Sequence, residues 1–286
     1  MIIIDFLAND IDTLLTCALV SRSWLHFVRF ILYDHLVLDL AHMHHQTYGR
    51  MIVDATTGTR KYIRVLELTI HEWMPFWFIV YEDFRQILRH VPNLVALRLD
   101  AGAVNEAPPE AQPKLYRPLV PIQNFRLGFN FSHGVLGLIP LRAFTRIDHL
   151  EIFSEDDDGQ DYRWPGEEDL AKFEEAKRLR VRSLFLSAGT PCIFALRKVL
   201  QPTLRMLEVL YLDLCPPGSH GIAGLLIRDA APSLRALKID LSSGLHKRIT
   251  RPMSCNAWFD THSPNYELIL CFFIQTRTPP TGRSST

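Results

Sequence analysis

Three stretches of this sequence carry residue types that could do chemistry. His42-x-His44-His45 offers three imidazoles, the commonest ligands of a transition metal. A zinc site needs a second ligand pair at matching spacing, and no cysteine or further pair stands nearby. The stretch reads as a polar loop or short helix. Glu155-Asp156-Asp157-Asp158-Gly159-Gln160-Asp161 could wrap a calcium ion. With Gly159 aligned on the glycine of an EF-hand loop, Asp156 and Asp158 fall on ligand positions. Ser154 then takes the first position and Pro165 the twelfth, where a bidentate Glu belongs. A solvated, self-repelling excursion is the better reading. Gly218-x-x-Gly221-x-x-Gly224 surrounds Ser219 and His220, but matches no nucleotide-binding glycine pattern, phosphate loop or nucleophile elbow. These glycines more simply free a strand-to-helix turn. No nucleophile, base and acid converge, so the expectation is a chain that is no enzyme and uses no metal or cofactor.

The elements around these stretches follow one repeated phrase, apolar-x-x-apolar-x-apolar. It occurs as Ile63-x-x-Leu66-x-Leu68, Leu94-x-x-Leu97-x-Leu99, Ile122-x-x-Phe125-x-Leu127 and Ile147-x-x-Leu150-x-Ile152. It returns as Val181-x-x-Leu184-x-Leu186, Leu207-x-x-Leu210-x-Leu212 and Leu234-x-x-Leu237-x-Ile239, with a weaker copy, Tyr33-x-x-Leu36-x-Leu38, in front. The interval runs from 25 positions (Phe125 to Leu150) to 34 (Leu150 to Leu184). Self-similarity at this period marks stacked repeats, and the phrase is that of a leucine-rich repeat.

Within the phrase, apolar and polar residues alternate, which on a strand sends them to opposite faces. The leucines face a core. Glu67, Arg98, Asp100, Arg126, Glu151, Tyr211, Asp213, Lys238 and Asp240 face outward and form the candidate protein-binding surface. Between the phrases lie stripes of helical spacing: Phe84, Ile87, Leu88 and Val91; Leu170, Phe173 and Ala176; Ile193, Leu196, Val199 and Leu200; Leu225, Leu226 and Ala230. Two connectors end in Pro92-Asn93-Leu94 and Pro232-Ser233-Leu234, where proline turns the preceding residue out of a helix. The fold class expected is α/β: an irregular, curved leucine-rich-repeat-like solenoid with a parallel sheet. A doubly wound α/β domain is the alternative that strand–helix alternation alone would permit. Asn or Cys three positions after the phrase occurs only at Asn130 and Cys215, so no buried polar ladder is expected along its length. Trp73, Phe76, Trp77, Phe78 and Tyr81 read as core or inter-repeat packing, or as an exposed patch for a partner.

Composition narrows the function classes. The chain has 286 residues, 48% of them hydrophobic, and 31 basic against 31 acidic side chains. A neutral chain gives no electrostatic reason to expect nucleic acid, which calls for a basic patch. Five cysteines in unpaired spacing suit reduced thiols in a cytoplasmic or nuclear protein rather than a disulfide framework. The longest strongly apolar run, Leu268 to Ile274, is far short of the ~20 residues that cross a bilayer, so no membrane is expected. Met1 to Leu7 has no basic start and an interrupting Asp5, unlike a signal peptide.

The first forty residues differ from the rest. Leu14, Cys17, Ala18, Ser21, Leu25 and Val28 recur at helical steps, as do Trp24, Phe27 and Ile31, and Asp10 or Asp12 can cap the start. Ile4-x-Phe6-Leu7 followed by Leu14-x-x-Cys17-x-x-Val20-Ser21-Arg22-x-Trp24 resembles the F-box, especially as it occurs in large fungal F-box-like families. The resemblance covers about residues 1–38, and leucine-rich repeats often follow an F-box. It implies docking on the small adaptor of a cullin–RING ubiquitin ligase, through Ile4, Leu7, Leu14, Val20 and Trp24, while the repeats hold an unknown client protein. That family opens with Leu-Pro-x-Glu-hydrophobic, and Met1 to Ile4 would align after it, so the F-box is expected to be incomplete. The expected division is an F-box-like helical segment over 1–40, a connector over 41–62, the solenoid over 63–245 and an irregular tail over 246–286, disordered from 275. A repeat scaffold with no ubiquitin-ligase link is the alternative function.

Overall fold

The computed structural model describes residues 10–39, 58–69, 78–100, 103–105, 120–155, 173, 179–188, 190–213 and 220–240. The His42–His45 cluster, the acidic run beyond Glu155, Ile4, Leu7 and the tail from 241 lie outside them. So do Trp73, Phe76, Trp77, Leu170, Ala176 and Cys215.

The chain opens with a helical hairpin, α1 (Ile11–Val20) and α2 (Arg22–Tyr33). Asp10, not Asp12, caps α1: its carboxylate accepts the Thr13 amide at 3.0 Å and the Thr13 hydroxyl at 2.6 Å. Ser21 is extended, which breaks the helix, and its hydroxyl accepts the Ser23 amide at the start of α2. The pair buries Leu14 and Val28, with Cys17, Ala18, Ile31 and Leu32 partly buried around them. Polar contacts tie this hairpin to the chain beyond it. The His26 ring is 3.1 Å from the Tyr62 hydroxyl, and Arg64 lies 3.6 Å from Asp34.

Eight strands form one open, all-parallel sheet: β1 (His35–Asp39), β2 (Val65–Thr69), β4 (Ala96–Asp100), β6 (Val120–Asn130), β7 (Phe144–Glu155), β8 (Arg180–Ser187), β9 (Val209–Asp213) and β10 (Ala236–Asp240). Their spatial order is their order along the chain, so it never reverses as in a doubly wound sheet. Between β2 and β4 lies β3 (Phe78–Val80), and after β4 lies β5 (Ala103–Asn105); these two make a small parallel sheet of their own.

Register explains the phrase. Leu36, Leu66, Leu97, Phe125, Leu150, Leu184, Leu210 and Leu237 are successive partners across the sheet. Leu38, Leu68, Leu99, Leu127, Ile152, Leu186, Leu212 and Ile239 form the next row. Both rows face helices α3 (Tyr81–His90), α4 (Thr190–Leu200) and α5 (His220–Ala230), and from Leu66 to Leu212 they are buried. Phe84, Ile87, Leu88 and Val91, then Ile193, Leu196, Val199 and Leu200, supply the helical side, as their spacing predicts. Phe125 and Phe84 both meet Phe144, at ring separations of 5.0 and 6.4 Å.

The polar residue after each connector proline stitches one unit to the one before. The Asn93 side-chain amide donates to the Lys61 carbonyl at 2.7 Å, and the Ser233 hydroxyl donates to the Leu207 carbonyl at 2.9 Å. Between β6 and β7 the chain forms a 3₁₀ segment, Phe131–Ala143, containing Pro140. One expectation needs correction. Leu237 is only partly buried, because β10 is flanked by β9 alone among the described strands.

Candidate protein-binding surfaces

Residues alternating with the core rows form the outer face of the sheet. One register row crosses all eight strands: Val37, Glu67, Arg98, Arg126, Glu151, Phe185, Tyr211 and Lys238. Six of the nine residues expected on this face stand in it. The other three, Asp100, Asp213 and Asp240, share the adjoining row with Thr69, Phe153 and Ser187; for Asp100 only the backbone position is described.

The row has two chemically different halves. It opens on Val37, and over β2 to β7 it is charged and internally matched. Arg98 Nη1 lies 3.0 Å from Glu67 Oε2, and His35 Nε2 lies 3.5 Å from the same oxygen. Burial pushes the Glu151 carboxyl above the usual range, against the opposing pull of Arg126, Arg98 and His149. Over β8 and β9 it is aromatic, and Phe153 of the adjoining row joins it. Phe185 stacks on Tyr211 with centroids 4.4 Å apart and planes 10° apart, and Phe153 lies 5.2 Å from Phe185. The Arg126 guanidinium sits 4.4 Å from the Phe153 ring centre, and the Lys238 ammonium 4.9 Å from that of Tyr211. Ser187 donates to Asp213 at 3.0 Å, and the Tyr211 hydroxyl to Asp240 at 3.4 Å.

Sequence reasoning found Tyr211 and missed Phe153 and Phe185. Each sits beside core residues (Ile152-Phe153, Leu184-Phe185-Leu186) and so reads as more core; strict alternation was the signal that places them outward.

The second surface is on the helical hairpin. Of the nine most exposed large hydrophobic residues among those described, seven lie in α1 and α2: Ile11, Leu15, Leu19, Val20, Trp24, Phe27 and Phe30. Ile11, Leu15 and Leu19 recur every four residues, which makes one stripe. Of the expected adaptor contacts, Val20 is 70% and Trp24 41% exposed, while Leu14 is fully buried. Leu14 therefore holds the hairpin together and has no surface to offer as it stands. Trp24 is no core residue.

Among the described residues, no three His, Cys, Asp or Glu gather to hold a metal ion, and no helix is long and apolar enough to cross a membrane. No protein-family profile, curated protein or solved structure matches this chain.

Proposed function

We propose that the chain is a non-catalytic receptor of F-box type. In this reading α1 and α2 dock the small adaptor of a cullin–RING ubiquitin ligase. The strands β1 to β10 are a leucine-rich-repeat-like solenoid whose outer face holds the client protein. The observation that carries the proposal is the gathering of exposed apolar side chains on the hairpin, at the end of the sheet where β1 lies. Contiguous apolar surface of this kind marks a site for a protein partner. The resemblance of Val20-Ser21-Arg22-x-Trp24 to the F-box names that partner. Agreement of strand order with chain order supports the solenoid. Such a receptor speeds ubiquitination by raising the local concentration of client near the ligase. Five cysteines in unpaired spacing suit the reducing cytoplasm or nucleus where that ligase works.

The docking surface follows exposure: Leu19, Val20 and Trp24, with Ile11 and Leu15. Co-precipitation of purified adaptor with the full chain, and with Leu19→Asp and Val20→Asp variants, is the test. Both side chains are exposed, so the variants should melt like the parent. Each places a charge in a desolvated contact, at a cost of a few kcal/mol or about a hundredfold in affinity. If a folded parent chain retains no adaptor, the ligase link falls, and a repeat scaffold without it takes its place.

A further inference from the structure

Charge is sorted along the strand direction of the large sheet. Strands β1, β4, β7, β9 and β10 end on Asp39, Asp100, Glu155, Asp213 and Asp240. At the opposite end, at or just before the starts of β7 to β10, arginine gathers. Arg146 and Arg180 are register partners there, and Arg182, Arg205 and Arg235 join them. All five are exposed. Like charges on neighbouring strands weaken a sheet, so stability does not account for them.

The carboxylates at this end are few and already engaged. Asp148 lies 2.7 Å from Arg146, and Glu208 lies 3.2 Å from Arg182 and 3.8 Å from Arg235. Arg180 and Arg205 make no ion pair among the described residues. The adjoining last turns of α4 and α5 add Arg197, Lys198 and Arg228 against Asp229 alone. Helix C-termini attract cations wherever they lie, which accounts for those three but not for the five arginines. The chain as a whole is neutral, so this end holds an excess that other parts of the molecule balance.

An apolar side chain stands among the charges. Met206 is 49% exposed and, with Val37, is one of the two most exposed large hydrophobic residues outside the hairpin. It ends the 3₁₀ turn Leu204–Met206, beside Arg205. Two residues on, the Glu208 amide donates to the Arg182 carbonyl at 2.8 Å, and the Arg235 amide to the Glu208 carbonyl at 2.7 Å. Arginine and methionine are enriched at protein interfaces and lysine is depleted there. Residues 144–148, 180–182, 204–208 and 235 hold no lysine. A guanidinium fork grips a carboxylate bidentately, and a flexible thioether moulds to an apolar neighbour. Nucleic acid fits less well. Asp148 and Glu208 would repel a continuous phosphate chain, and the one ring in these stretches, Phe144, is buried and offers no base a platform.

We infer that Arg146, Arg180, Arg182, Arg205 and Arg235, with Met206, bind a protein segment that carries clustered carboxylates beside an apolar residue. This rests on the reading of the chain as a protein-binding module, but not on the ligase link.

The probe is a phage-displayed library of random dodecapeptides. It is selected on the immobilised full chain and depleted on the Arg180→Glu, Arg205→Glu double variant, which removes peptides held elsewhere. The strongest peptide is then synthesised and titrated by fluorescence polarisation. Asp and Glu should be enriched beside Leu, Ile, Met or Phe. Arg180→Glu and Arg205→Glu should each weaken the peptide by at least about tenfold. Met206→Ala should weaken it by at least about fivefold, and Met206→Leu by less than about twofold. Arg29→Glu, the same charge change at an exposed position of α2, should bind within about twofold of the parent. Melting curves of each variant separate lost binding from lost folding.

Recovery of no peptide on a folded chain overturns the inference, as does enrichment of basic or uncharged ones. Equal weakening by Arg29→Glu overturns it too, since net charge alone would then explain the effect. Tighter binding of a labelled oligothymidine strand than of the peptide assigns this end to nucleic acid instead. Dimerisation that Arg180→Glu abolishes, read by sedimentation, assigns it to a second copy of the chain. The chain's own acidic run, Glu167 to Glu175, precedes Arg180 in sequence. If a Glu174→Gln, Glu175→Gln variant binds the peptide several-fold tighter, the arginines already serve that run and the inference falls. Adaptor co-precipitation reads the hairpin separately, so loss of one result leaves the other standing.

Discussion

Replacing Leu210 by alanine tests the alternation on which the outer sheet face depends. Leu210 stands in the inner row between Leu184 and Leu237 and is fully buried. The change removes about three carbons' worth of apolar contact, or ~2.4 kcal/mol at ~0.8 kcal/mol per methylene. The cavity left behind adds to this, and buried Leu→Ala changes as a class cost about 2–5 kcal/mol. A value near 3 kcal/mol corresponds to a fall in melting temperature of about 6–12 °C for a domain of this size. Leu184→Ala should match it. Leu237→Ala should cost roughly half as much, because Leu237 is only partly buried at the last described strand. Asp213→Ala, three residues away on the outer face, should lower the melting temperature by no more than about 3 °C, the worth of one half-exposed hydrogen bond. Thermal unfolding followed by circular dichroism, all four variants under one buffer, decides the matter. Equal losses at Leu210 and Asp213 would refute the assignment of inner and outer faces.

Two further changes probe the joints and the buried charge. Ser233→Ala removes the hydroxyl that donates to the Leu207 carbonyl one unit back, and should cost about 1 kcal/mol, a drop of about 2–4 °C in melting temperature; an unchanged melting temperature would remove the stitch from the account. The Glu151 carboxyl is raised by burial, so the unfolded chain gives up this proton at lower pH than the folded one. The group therefore disfavours the fold as pH climbs from the ordinary glutamate range through its raised folded value. Glu151→Gln should melt higher than the parent at pH 7 and no differently at a pH below both values; a parent-like difference at both pH values would discount the burial of Glu151.

What was legible in the sequence was whatever one period expressed. The inner rows were visible because every strand repeats the same spacing, and the helical stripes because Phe84, Ile87, Leu88 and Val91 have polar neighbours to contrast with. Where both faces are apolar, contrast disappears. Phe185 lies between Leu184 and Leu186, so residue type hid what strand parity reveals. On α1, Ile11, Leu14, Leu15, Leu19 and Val20 run around much of the helix, and spacing alone could not say that Leu14 is the one turned inward. The 3₁₀ segment was hidden for a different reason. Phe125 and Leu150 are the closest pair of phrases, and the two strands take so many of the intervening residues that 131–143 alone must cross back. With Gly134, Gly137 and Pro140 in that span, a regular α-helix is disfavoured.

Agreement between strand order and chain order has a consequence for how the molecule comes into being. Each inner strand of the large sheet pairs with the strands of that sheet that precede and follow it along the chain, and the end strands β1 and β10 with one each. Each strand holds one edge open only until the next strand of the sheet is delivered. Each unit emerging from the exit tunnel meets a finished template, adds its two inner residues to rows already laid down, and becomes the template in turn. Pairing one repeat at a time closes shorter loops than pairing across the whole chain would, so each addition costs less chain entropy.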